Sequence, residues 1–331
     1  LPNDRCSLPD APARPATVRL GQLLRSRQGL LAVSAGAVLW GTNGVLVRFV
    51  SDHSSLGPVA IGCYRLIFSS AVLLFIAGLS SVRVWRLASS VQRWLLLLSG
   101  VLLGGYQALY FAAIGNVGVS VSTLVSLAVA PLAITAAKAW STRTVPDGRS
   151  ALVLTLAIVG LACISLSSAH GSSAPHPALG ILESVGSGLG YAGSTVVSQR
   201  LHSVAGPLTL TTVASVVGAL TLLPLAAVSG LGFTVTVPTV ASLGYMGIAA
   251  TALAYALFFH GLRSTPSEVA SVLTLLEPLT ATLLAVALIG ERLPVAGWAG
   301  AALLVGAIAV LYAAPLAPGG GREELPATMV G

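Results

Sequence analysis

Ten stretches of this chain are each long and apolar enough to cross a bilayer, and stretches of that kind leave few choices of fold. A helix needs about 20 mostly apolar residues to cover roughly 30 Å of hydrocarbon at about 1.5 Å per residue. The stretches lie near 30–50, 58–79, 94–114, 119–140, 150–168, 178–199, 208–229, 238–260, 267–288 and 294–314. Where no water reaches the backbone N–H and C=O groups, only helices and closed barrels span a membrane. Barrel strands alternate apolar and polar residues over about ten positions, whereas 94–103 is apolar almost throughout. The expected fold is therefore an all-α integral membrane protein of ten transmembrane helices. Only 8% of the residues are charged, against about a quarter in soluble domains, which excludes a water-soluble protein.

The net charge of +7 does not imply nucleic acid as a partner, because 16 of the 17 basic residues are arginines scattered between apolar runs. Scattered loop arginines set membrane orientation. With the N-terminus in the cytoplasm, 14 of the 17 fall on the inner side, and Arg48, Arg65 and Arg292 are the remainder. The expected placement is the cell membrane, multi-pass, with both termini cytoplasmic. Residues 1–29, rich in Pro and Arg, read as a disordered cytoplasmic N-terminal tail, and 315–331 as a cytoplasmic C-terminal tail. Cys6, Cys63 and Cys163 have no disulfide or zinc spacing, and the five histidines have no ligand spacing, so no metal is expected. No Walker-type glycine run exists, and the sole lysine, Lys138, sits at a membrane boundary, so ATP hydrolysis and cofactors are not expected.

The apolar stretches repeat. Aligning 30–168 with 178–314 sets Trp40-Gly41-Thr42-Asn43 beside Tyr191-Ala192-Gly193-Ser194, and Ala130-Pro131-Leu132 beside Glu277-Pro278-Leu279. Each half holds five spans, an odd number, so the second half enters the membrane from the opposite side. Such inverted repeats belong to transporters, whose halves exchange conformations around a central site. The segment Glu277-Pro278-Leu279 followed by Gly290-Glu291-Arg292-Leu293, with Trp40-Gly41-Thr42-Asn43 and the run from Pro58 to Tyr64-Arg65, resembles the EamA-type transporters of the drug/metabolite transporter superfamily. That resemblance extends from about Leu30 to Ala314. It implies export or exchange of small metabolites, commonly amino acids.

Within the spans, few side chains carry chemistry. Glu277 is about ten residues into the ninth span, near the midplane, where an ionised carboxylate is costly unless paired or hydrated. It can carry a proton between conformations or pair with a substrate ammonium, or it can be a hydrogen-bonded packing residue. Pro278 adjoins it and Pro131 holds the matching place in the fourth span, and each removes a helix donor. Both are expected to break their helices and free carbonyls toward a cavity, or to serve packing alone. Arg65 lies too deep in the second span to reach water easily, with Glu183 and Glu277 as candidate ion-pair partners. Trp40 and Asn43, three residues apart on one helical face, and Tyr106 and Tyr110, four apart, form a candidate aromatic and hydrogen-bonding wall, joined by Tyr191. The competing role for these side chains is core packing with a satisfied polar tip.

The sequence thus reads as a secondary transporter moving a small polar metabolite by alternating access, with efflux of amino acids or related compounds foremost and a proton as the candidate coupled ion. Its surroundings are the lipid bilayer, and nothing in it sets an oligomeric state. A membrane enzyme would need clustered catalytic groups at one face, and a structural or sensory protein would need an appended ligand-binding domain. Neither feature is present in the sequence, although both classes remain as alternatives.

Overall fold

The structure, a computed structural model, describes residues 16–79, 89–167, 176–290 and 292–313. The described residues form helices and connections, with no strand among them. The first span is α1 (Ala16–Gly41) and α2 (Asn43–His53), interrupted at Thr42. Four further helices complete the first half: α3 (Pro58–Leu79), α4 (Ser90–Val117), α5 (Val119–Thr142) and α6 (Gly148–Ser167). The second half runs through α7 (Pro177–Leu201), α8 (Pro207–Ser229) and α9 (Val237–Gly247), which a π-helical turn at Ile248–Leu253 joins to α10 (Ala254–Gly261). The ninth span is α11 (Ser267–Leu273) and α12 (Leu276–Leu284), ending in a second π-helical turn at Ala285–Ile289. It is followed by α13 (Val295–Ala313).

Helix α1 takes in residues 16–29, which the sequence places in the N-terminal tail. Residues 1–15, Ala314 and the C-terminal tail from 315 lie outside the described residues. Among the described residues, nine segments are apolar enough to cross a membrane on their own. The helix missing from that set is α7, which at 25 residues is long enough but is diluted by Ser, Gly and Glu183. Its small polar residues have a packing reason. Ser184, Ser187, Gly188, Ser194, Thr195 and Ser198 are buried, on a helix packed against α4 and α5. A helix enclosed by protein needs less apolar surface than one facing lipid.

The most extensive pairings, α4 with α7 and α8, α3 with α8, α6 with α13, α5 with α7 and α1 with α10, each join the first half to the second. The two repeats therefore interlock rather than stand side by side. Contacts also sort the connections between two ends of the bundle. At one end, Gly29 packs on Ser264 and Thr265, Gln199 Nε2 donates to the Thr265 carbonyl (3.1 Å), Lys138 pairs with Glu268, and Arg149 Nη2 donates to the Val310 carbonyl (2.7 Å). This is the terminal end, near which α13 finishes. There Asp147 precedes α6 and accepts from the Ser150 hydroxyl, which holds its carboxyl below the usual carboxylate range. At the far end, Ser55 Oγ donates to the Gly232 carbonyl (3.1 Å), Tyr64 Oη to the Leu231 carbonyl (2.8 Å) and Asn116 Nδ2 to Glu183 (2.8 Å).

Candidate functional site

The two interrupted spans, one from each half, meet at their interruptions. At the first, the amide and hydroxyl of Thr42 both turn back to the Leu39 carbonyl (3.2 and 2.7 Å). At the second, Leu275 N–H bonds the Val272 carbonyl (3.0 Å) and Glu277 N–H the Thr274 carbonyl (2.9 Å), tightening the chain before α12 begins. Gly41 lies directly against this second interruption. A Cβ at that position would stand 2.5 Å from Thr280 Cβ and 2.7 Å from the Glu277 carbonyl oxygen, so only glycine permits the approach. The crossing brings the backbone between Trp40 and Asn43 of the first half against the Glu277 carbonyl of the second.

Pro278 falls in the first turn of α12, where a missing N–H costs nothing. The interruption therefore precedes it. Pro131, expected to break the matching span, does not: α5 runs without interruption from Val119 to Thr142. Equivalent prolines thus sit in unlike settings, one at a helix start and one inside a helix held by its neighbours. Trp40 and Asn43, expected on one continuous helix, lie on either side of Thr42.

An aromatic wall rises from this crossing. Trp40 packs against Tyr255 (ring centroids 4.8 Å) and Phe258 (5.3 Å), and Tyr106 bonds Tyr255 through their hydroxyls (2.9 Å). Tyr106 also meets Tyr191 edge to face (5.3 Å). Tyr110 bonds the Thr123 hydroxyl (2.7 Å). The wall draws on α1, α4, α7 and α10, and hence on both halves. The Glu277 carboxyl interacts electrostatically with Tyr106, Tyr110, Tyr191 and Tyr255 and with Arg65, which gathers the expected residues around one interior region. Glu277, Arg65, Tyr106, Tyr110 and Tyr191 all keep some accessible surface.

Several polar atoms of the region are unsatisfied. Trp40 Nε1 and Asn43 Oδ1 have no hydrogen-bond partner although each residue is only 6% exposed. Arg65 Nε and Tyr191 Oη are also sealed from solvent without partners. Buried polar groups are normally paired, so these four atoms are exceptions. The Glu277 carboxylate makes no hydrogen bond or ion pair with the described residues.

Glu183, expected as a partner for Arg65, accepts from Asn116 instead, at the far end. Arg65 Nη2 donates to Gln107 Oε1 (3.0 Å). Gln107 is absent from the sequence expectations, although a lone amide within an apolar span was a readable signal. Tyr255, which the sequence offers beside Tyr191 as a wall or packing residue, completes the wall. No group of three or more potential metal ligands occurs among the described residues.

Comparison with known proteins places these features in context. The model of the EamA-like transporter family matches residues 27–166 and again 178–313. The uncharacterized transporter YwfM of Bacillus subtilis (strain 168) is 30% identical over 288 residues, covering 86% of this chain and 94% of its own. The uncharacterized inner membrane transporter YicL of Salmonella typhimurium is 25% identical over 290 residues, covering 86% and 95%. A protein crystal structure superposes with a TM-score of 0.72 at 18% identity, over 86% of this chain and 96% of that one, so the fold is shared.

Proposed function

The chain belongs to the EamA-like transporter family, a multi-pass membrane family whose members move small molecules, and from that premise we propose that it is a secondary transporter working by alternating access. It exports a small polar metabolite, with amino acids or related compounds as the substrate class. It does so across the cell membrane, with both termini in the cytoplasm and a proton carried on Glu277. The duplicated match to the family and the interlocked halves support a mechanism in which one repeat rocks against the other.

The observation that carries this reading is the crossing at Gly41 and Glu277. There, two interrupted spans of opposite halves cross, one carrying the unpaired Glu277 carboxylate and the other the orphaned polar atoms of Trp40 and Asn43. A carboxylate in such a place binds and releases either a proton or a cationic group as access alternates. The test is metabolite profiling of cells lacking or overproducing the protein, followed by counterflow of the affected compounds in proteoliposomes. Saturable counterflow of a polar metabolite is expected. Vesicles that exchange none of the affected compounds faster than protein-free vesicles contradict it.

A further inference from the structure

We propose that Arg65, presented by Gln107, is the subsite that takes a carboxylate group of the substrate, so that the transported compound is a carboxylic acid. The inference rests on the transport reading above and deepens it. Arg65 lies seven residues inside α3, about 10 Å along the helix from its start. A guanidinium does not give up its charge and offers five N–H donors. Here a single hydrogen bond, to the neutral amide of Gln107, engages one of them. Both acids that the sequence offers as neutralising partners are disposed otherwise. Glu183 is held by Asn116, and Glu277 feels the charge of Arg65 without forming an ion pair with it.

A permanent positive charge inside the membrane that forms no ion pair among the described residues is expensive unless something negative joins it. The surroundings are arranged to hold it still. Gly247 packs so closely on α3 that a Cβ there would stand 3.1 Å from the Arg65 carbonyl and 2.4 Å from Phe68 Cβ, which fixes the backbone. Gln107 is 3% exposed, and its own amide leans on the Leu103 carbonyl (3.5 Å), which fixes the acceptor. The result is a guanidinium anchored on one edge, with its Nε–H unpartnered. Carboxylates bind such a fork through two parallel N–H bonds. Had the site evolved only to neutralise Arg65, glutamate in place of Gln107 would do so with no change of shape. Gln107 is a positioning residue that directs the charge without cancelling it.

This distinction is testable with purified wild type, Gln107→Glu and Gln107→Leu. Size-exclusion profile and melting temperature of each are recorded first. Thermal shifts are then titrated with the free amino acids and with the corresponding amino-acid amides, which differ only in lacking the carboxylate. The expectation is that at least one free amino acid stabilises the wild type and that its amide does so about tenfold more weakly or worse. Gln107→Glu should fold with a melting temperature equal to or above that of wild type and lose the preference for acid over amide. Gln107→Leu should also lose it while remaining monodisperse. A wild type stabilised equally by acid and amide, or by no free amino acid, overturns the subsite, as does a Gln107→Glu protein that keeps the preference. The assay reads binding alone. Acid preference without flux in vesicles therefore rejects the transport reading, whereas flux without acid preference rejects only the carboxylate subsite.

Discussion

Gly41 concentrates the argument at the scale of single residues. It stands where α1 crosses α12, with the Glu277 carbonyl and Thr280 closer to its missing Cβ than real side chains tolerate. Gly41→Ala should therefore lower stability by about 1–3 kcal/mol, as overpacking does. Gly105→Ala, in α4 with open space around it, should be neutral or slightly stabilising through helix propensity. Melting temperatures of the two purified variants decide the matter, and equal values for both would remove the close crossing. At this scale the sequence told much about identity and little about pairing. Glu277, Arg65, Trp40 and the tyrosines are conspicuous because polar and aromatic groups are rare in apolar runs. Which of them touch is set by helix rotation and crossing, and one apolar span reads much like another in that respect. Glu183 and Arg65 lie at similar depths in sequence, yet the partners they find are Asn116 and Gln107.

The elements of the ninth span differ in how firmly they are held. Its piece nearer the terminal end, α11, and the turn after it are buried from Ala270 to Leu275, while from Thr280 to Leu288 no residue of α12 or its π-helical end is buried. The interruption at Thr274–Leu275 separates a fully buried stretch from one that keeps accessible surface. Lys138 of α5 and Glu268 of α11 pair across the two halves at the terminal end. With its lysine largely in the open, the pair contributes at most about 1 kcal/mol to stability, and its importance lies in joining the halves. Cross-linking a Lys138→Cys, Glu268→Cys double variant with a short thiol reagent should stop counterflow, and cleaving the link should restore it. Full flux through the cross-linked protein would show that the terminal end need not open there. Helix interruptions were only partly readable in advance. Proline marks both matching spans, yet the span containing Pro278 breaks before its proline and the one containing Pro131 does not break, because neighbouring helices decide whether lost backbone bonds are tolerated.

For the whole molecule, hydropathy and duplication dictate the architecture before any side chain is considered. Five-span halves must invert, and the family matches the chain twice, over 27–166 and 178–313. Hydropathy alone undervalues α7, whose serines and glycines face protein rather than lipid. The duplication also hides an asymmetry. Trp40-Gly41-Thr42-Asn43 interrupts its span, while the matching Tyr191-Ala192-Gly193-Ser194 lies within the continuous α7. An acid stands beside Pro278, and alanine beside Pro131. In the proposed mechanism the Glu277 carboxylate, at the crossing of the halves, is the group that changes its charge state, and the account stands or falls on what it does. The deciding measurement is transport against pH in matched proteoliposomes containing wild type or Glu277→Gln, a change that keeps size and much of the hydrogen bonding while removing the charge. If Glu277 carries the proton or the substrate's cationic group, the variant should reconstitute as well as wild type, with flux reduced about tenfold or more and its pH dependence flattened. Superimposable pH profiles for the two proteins would contradict the account.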